Sequence, residues 1–317
     1  MQHRRLDFLA ALSGVMIALQ ARANGELSHR LDNGLQAALV SFGSGLIIIV
    51  AVALFNPSIK KGVRTLSKAV REKNLPTWTL FAGMLGGSFV AVQTQIVPLI
   101  GVAIYSVASI AGQSAISLVV DRIGLTGGGK KHITPRRVTA AFVTVFAVFI
   151  SVADRLDGRD LSIAAVILGV VAGAIVGVQR ALNGQINEYS QQSFTTSLLN
   201  FAMGTTFLTI LLVVAIVFTD TKLSPLPAGP WWIYTGGVIG VVYIAFTSTI
   251  VQRLGVLTFT LISVGGQLVG SLLIDLISPT EGVQVSIYLV IGIAMTYLGV
   301  IVGGVNNQRF RRRLSQQ

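Results

Sequence analysis

Long apolar stretches, interrupted by glycine, proline and short clusters of charge, make up most of the chain. Residues 33–59 carry no charged side chain, nor do residues 189–219. About 20 helical residues cross the roughly 30 Å hydrocarbon core of a bilayer, so each of these windows is long enough to span it. The same criterion predicts ten spans, over residues 6–24, 34–55, 77–98, 102–123, 138–154, 161–183, 193–218, 231–253, 256–276 and 284–305. Helices are expected, since an open strand would leave its backbone N–H and C=O groups unpaired in lipid. The expected fold class is an all-α polytopic membrane protein.

The pattern also repeats. Sliding the chain by 154 residues sets GVAIYSVASIAGQSAISLVVD, residues 101–121, on GVLTFTLISVGGQLVGSLLID, residues 255–275, with eight identities in 21 positions. Among them are the pairs Gly112-Gln113 and Gly266-Gln267, and the closing Asp121 and Asp275. Upstream the shift becomes 159 and pairs Gln20, Asn24, Gly25, Phe42 and Gly45 with Gln179, Asn183, Gly184, Phe201 and Gly204. The difference falls in a basic loop near residues 56–76 of the first copy. Two five-helix halves are expected, residues 1–153 and 161–317, joined by the polar linker 154–160, DRLDGRD. Five is an odd number, so the second half enters the membrane from the opposite side. Inverted repeats of this kind recur in secondary transporters, with sites near the midplane where the halves meet.

Composition agrees: of 317 residues, 52% are hydrophobic and only 11% charged. There are no cysteines, which excludes disulfides and thiolate metal sites. The net charge of +12 suggests nucleic acid at first sight, but its placement favours lipid. With both termini cytoplasmic, 19 of the 24 Lys and Arg residues fall on the inner side, as the positive-inside rule requires. They form a rim suited to anionic headgroups. Within that rim IKKGVRTLSKAVREKNL is partly amphipathic and is expected to lie along the interface. Ala21-Arg22-Ala23 fits a signal-peptide cleavage pattern. Its surrounding motif recurs internally, however, so residues 1–30 are kept in the fold.

Candidate chemistry is confined to a few polar residues at depth. Gln113 and Gln267 lie halfway along the fourth and ninth spans, near the bilayer midplane. Intramembrane amides either cross-link helices or line a cavity and bind substrate. Gln20 and Asn24, like Gln179 and Asn183, are four residues apart and share a helical face. Asn-Gly after each Gln is expected to end the helix in the left-handed conformation. The preceding Gln then marks a polar vestibule, Gln20 nearer the outside and Gln179 nearer the inside. Ion coupling has three candidates: Asp275, which has no adjacent base, Asp121 beside Arg122, and Glu26, whose repeat counterpart is Gln185. The three histidines fall in termini or loops. Most glycines in the spans are read as packing positions. No metalloprotease motif, nucleophile elbow, phosphate loop or carboxylate cluster is present, so no enzyme, cofactor or metal is expected.

GVMIALQARANGEL in the first span, the QARANG/QRALNG pair and the Gly-Gln helices together resemble a bacterial inner-membrane exporter family of the drug/metabolite transporter superfamily. Its members are five-helix proteins, single or paired, and fused ten-helix proteins, and this chain is similar to the fused form. The resemblance implies alternating access between inverted halves and a distant relation to small multidrug resistance proteins. Those depend on a glutamate within the first helix. Here the first span has no acid beyond Asp7, and Gln20 holds the deep polar position. The expected function is secondary transport, as an exporter, of a small molecule. A passive channel or facilitator, or a membrane scaffold that moves nothing, stays open at this point.

Overall fold

The computed structural model describes residues 2–125, 133–153, 163–219, 221–254, 256–279 and 285–314. The expected linker 154–160 lies outside them. Ten α-helices follow in order: α1 (Gln2–Leu31), α2 (Gly34–Phe55), α3 (Pro57–Arg71), α4 (Ala82–Ile123), α5 (Pro135–Ser151), α6 (Ile163–Ser190), α7 (Ser193–Phe218), α8 (Gly236–Leu254), α9 (Val256–Ile277) and α10 (Ile287–Leu314). Short 3-10 turns at Thr77–Phe81 and Trp231–Tyr234 lead into α4 and α8.

Helix α4 carries two spans. A straight helix of its 42 residues would be about 63 Å long, roughly twice the hydrocarbon thickness. Gly101 breaks it, with φ 79° and ψ 167°, a conformation that residues with a Cβ rarely adopt. The chain turns back there. Phe89 and Tyr105 would stand about 24 Å apart along a straight helix, but their ring centroids are 6.1 Å apart. Among the described residues, five segments are long and apolar enough to cross a membrane: Leu6–Leu31, Gly34–Phe55, Thr77–Val120, Ile163–Ser190 and Ser193–Phe218. The third is this hairpin. Shorter apolar helices lie at Val138–Ser151, Gly236–Thr247, Ile262–Ile277 and Ile287–Gly299, so that with the hairpin counted as two the described residues hold ten apolar helical segments.

One local expectation fails. Helix α1 runs through Asn24-Gly25 to Leu31, and α6 through Asn183-Gly184 to Ser190. The left-handed residues that end them are Asp32 (φ 50°) and Gln191 (φ 54°), which share the repeat offset. The next residues, Asn33 and Gln192, cap α2 and α7 by accepting from Gln36 N and Phe194 N. With turn and cap supplied downstream, Asn-Gly is free to stay helical. Gly25 serves packing instead, since a Cβ there would lie 2.6 Å from Val97. His29 likewise belongs to the last turn of α1 and not to a loop.

Helix α3 covers most of the basic stretch. Ile59, Gly62, Leu66 and Ala69 are buried along one face, while Lys60, Lys61, Arg64, Lys68 and Arg71 are exposed. Its buried face rests on α7, where Thr195 Oγ1 donates to the Ile59 carbonyl at 3.2 Å.

The packing is reciprocal between halves. Gly112 and Gly173 sit where α4 crosses α6, and a Cβ on either would be 1.8 or 1.9 Å from a backbone oxygen of the other helix. Gly266 and Gly14, their repeat counterparts, do the same where α9 crosses α1, again at 1.9 and 1.8 Å. Phe42 and Phe201 meet at 5.0 Å, each ring lying over the other half's Gly204 or Gly45. The second half of α4 is enclosed on every side: Val102 to Ala111 are all buried. Burial around the whole circumference marks a central helix. Elsewhere Phe55, Phe218 and Ile277 are among many large apolar side chains turned outward, as a lipid-facing surface requires.

Candidate functional site

Gln113 sits in the buried second half of α4, where its Nε2 donates to Ser109 Oγ, one helical turn back, at 3.0 Å. Its Oε1 accepts from Arg180 Nη1 of α6 at 2.6 Å. Arg180 also donates from Nε and Nη2 to Tyr243 Oη of α8, at 3.2 and 2.9 Å. Arg180 is one of the 19 Lys and Arg residues counted on the inner side from their position in the chain. The structure instead carries its guanidinium into the bundle, to the depth of a mid-span glutamine.

From Ser109 the polar path continues through Tyr105, whose hydroxyl lies beside the Ser109 and Gln93 side chains. Gln93 Oε1 accepts from Asn24 Nδ2 of α1 at 3.2 Å. Asn24, Gln93, Tyr105, Ser109, Gln113, Arg180 and Tyr243 therefore form one polar chain through the bundle, and the first five are buried. It is incompletely satisfied. Asn24 Oδ1, Gln93 Nε2, Tyr105 Oη and the nearby Ser106 Oγ meet no partner at full hydrogen-bonding geometry. A buried polar group left so costs about 1–3 kcal/mol, which is tolerable where the groups serve a ligand.

Gln179 and Asn183 come together through α7. Gln179 Nε2 donates to Asn200 Oδ1 at 2.8 Å, and Asn200 Nδ2 donates to Asn183 Oδ1 at 2.6 Å and to the Thr196 carbonyl at 3.0 Å. In the other half Gln20 Nε2 donates to the Gly236 carbonyl at 2.9 Å. Gln267, 1% exposed, faces α1, and its Nε2 lacks a partner. No hydrogen bond joins Gln113 to Gln267 among the described residues. Each lies beside its own glycine crossing, Gln113 against α6 and Gln267 against α1.

The acidic candidates have distinct surroundings. Asp275 is buried, and its two oxygens accept from Val102 N at 3.3 Å and Ala103 N at 2.7 Å. It thereby caps the helix that restarts after Gly101. Glu26 pairs with Arg22 at 3.1 Å and Arg30 at 2.8 Å. Arg22 also donates to Ser278 Oγ at 3.0 Å and lies 5.6 Å over the Trp232 ring. The side chain of Asp121 lies outside the described residues.

Two cavities of unequal size lie toward the ends of the polar chain: Arg180 and Tyr243 line the smaller, and Gly25, next to the buried Asn24, lines the larger. One, of about 410 Å³, is lined by Gly25 (next to Asn24), Arg22, Glu26, His29, Arg30, Val97, Pro98 and Pro279. The other, of about 20 Å³, is lined by Gly184, Gln179, Arg180, Asn183, Tyr243, Ile244 and Thr247. At this second end Gln185, the counterpart of Glu26, donates to the Leu125 carbonyl.

Residues 6–150 and 164–302, nearly the whole chain in two copies, match the family described as "Putative inner membrane exporter, YdcZ". The chain belongs to the YdcZ family. It is thus a multi-pass inner-membrane transporter of the exporter type, which is not an enzyme class. No curated protein matches it. Of the solved structures, 14 chains match. One, described only as "Crystal structure of protein", has a TM-score of 0.58 and 18% identity over 96% of this chain and 97% of its own. At that identity the likeness shows the fold alone.

Several residues of the buried polar network in this YdcZ-family chain escaped sequence reasoning. Arg180 and Tyr243 have Ala21 and Phe89 as repeat counterparts, so a search for residues kept in both halves passes over them. Asn200 likewise has a different residue, Ser41, as its counterpart. Gln93 and Tyr105 lie in apolar runs, and only the Gly101 hairpin brings them together. A lone arginine inside an otherwise apolar span was the one available signal for Arg180.

Proposed function

We propose that this chain is a secondary transporter that exports a small polar solute by alternating access between two inverted five-helix halves, with both termini cytoplasmic. One observation carries the reading: a partly unsatisfied polar chain runs from Asn24 to Arg180 and Tyr243, between a cavity of about 410 Å³ and one of about 20 Å³. Under the positive-inside orientation the large cavity opens outward. The reciprocal glycine crossings support a twofold relation between halves. Exchange of their conformations would then close the Gly25 end and open the Gly184 end. A permanent channel would gain nothing from such unequal ends. Gln113 serves substrate contact, with Gln267, Gln20, Asn24, Gln179 and Asn183 lining the route. The exposed lysines and arginines of α3 rest on anionic headgroups of the inner leaflet.

The test is solute uptake into proteoliposomes across a metabolite panel, comparing wild type with Gln113→Ala. At least one solute is expected to move, and the variant is expected to lose at least about tenfold of that flux while eluting as a folded monodisperse protein, as loss of one charge-assisted hydrogen bond implies. Wild-type flux in Gln113→Ala would remove Gln113 from the route. Flux through wild type that shows no saturation would favour a channel.

A further inference from the structure

Arg180 is half-buried, and each of its three hydrogen bonds goes to a neutral oxygen, of Gln113 or Tyr243. Among the described residues no carboxylate lies within ion-pair distance of it. Asp121 lies two turns beyond Gln113 on α4, about 12 Å along the axis. Glu188 lies two turns beyond Arg180 on α6, at a similar remove.

A guanidinium at this depth without a counter-charge is costly, and ionisable groups inside a membrane mark solute or ion pathways. Arg180 also lines the small cavity, along with Gln179, Asn183 and Thr247. The large cavity at the other end of the polar chain carries Arg22, Arg30 and His29 against the single acid Glu26. Cationic or amide donors are therefore present at both ends and in the middle of the route. Repeat symmetry does not account for Arg180, because Ala21 stands at the equivalent position.

We propose that the transported solute is an anion, such as a small carboxylate or phosphate, held by the Arg180 guanidinium and aimed by Gln113 and Tyr243. This rests on the transport reading above. The guanidinium fork suits two acceptor oxygens, and an arriving anion takes the place of Gln113 Oε1 and Tyr243 Oη on it. Export of an anion also runs down a membrane potential that is negative inside, by about fifty-fold for one charge at roughly 100 mV. Such an exporter needs no proton-binding carboxylate in its path.

The experiment uses the full chain in proteoliposomes, with uptake of acetate, lactate, benzoate, succinate and inorganic phosphate measured against methylammonium, guanidinium and glycerol. Wild type, Arg180→Gln, Arg180→Lys and Tyr243→Phe are compared, each checked for monodispersity and thermal unfolding. The expected result is saturable uptake of at least one anion, faster when a potassium diffusion potential makes the vesicle interior positive. Arg180→Gln cuts that uptake at least about tenfold, the range of a lost charge-assisted contact. Arg180→Lys keeps the charge but loses the fork, so it raises KM with a smaller loss of maximal rate. Should Arg180→Gln fail to fold, the Lys and Phe variants decide: unchanged KM for the anion in both overturns the proposal. Uptake of cations or glycerol without uptake of any anion overturns it too, while leaving the transport reading intact. If none of these solutes moves, the proposal fails for these anion classes, and the metabolite panel decides whether the transport reading fails with it.

Discussion

Asp275 illustrates how a buried carboxylate can take a structural part in a membrane helix pair. In the sequence it is an ion-coupling candidate for want of an adjacent base, and in the structure its two oxygens accept from Val102 N and Ala103 N, where α4 restarts. A cap of this kind is worth about 0.5–2 kcal/mol. Asp275→Ala is therefore expected to lower stability by about 1–2 kcal/mol, read from thermal unfolding in detergent. Asp275→Asn keeps an acceptor oxygen and should keep most of that stability and wild-type transport. Loss of gradient-driven flux in Asp275→Asn, with stability intact, would restore the coupling role. At this scale the sequence was legible where a residue recurs in both halves, as Gln113 and Gln179 do. It was opaque where the partners come from three different helices, as at Gln113, Arg180 and Tyr243. Hydrophobic periodicity places a residue at a depth, but which neighbour it meets there depends on helix rotation and crossing, which the pattern leaves free.

Element boundaries show the same division. Span number and length follow from hydropathy because the bilayer sets both. The Asn-Gly pairs misled because a left-handed residue can be supplied several positions later, here by Asp32 and Gln191, at a modest penalty that the following cap helps offset. The closest glycine crossings, by contrast, were not singled out as crossings in the sequence and emerge only when the helices are packed. At Gly173 a Cβ would lie 1.9 Å from the Ser109 carbonyl, with backbone on both sides and nothing flexible to yield. Gly173→Leu is expected to push α6 off α4 and destabilise by at least about 1–3 kcal/mol. Gly43, with nothing within 4 Å of its would-be Cβ, is the control. Gly43→Ala should be neutral or stabilise by about 0.5–1 kcal/mol, since alanine is the better helix former. Equal unfolding temperatures for these two variants would mean that the close α4–α6 approach contributes little.

For the whole molecule, the repeat was readable, as the two matches to the family model bear out, while the inequality of the two cavities was not. Both halves carry the same motifs, and nothing in a motif says which end stands open. The absence of native cysteines allows a direct check, since a single introduced thiol has no background. His29→Cys, in the large cavity, is expected to react with an impermeant maleimide added outside intact cells. Thr247→Cys, in the small one, should stay unlabelled from the outside, and in inverted vesicles react faster once solute is turning over. Simultaneous, solute-independent labelling of both sites would contradict alternation. The pairing of Ala21 with Arg180 has a further consequence. A site assembled from two identical halves offers a bound solute two equivalent poses, head and tail interchangeable about the twofold axis. With one guanidinium and no image of it, the degeneracy is lifted, and the charged end of the solute has a single place to go. Covalent fusion secures this, because two linked halves can hold different residues at matching positions and always assemble as that unequal pair, and so tell one end of their cargo from the other.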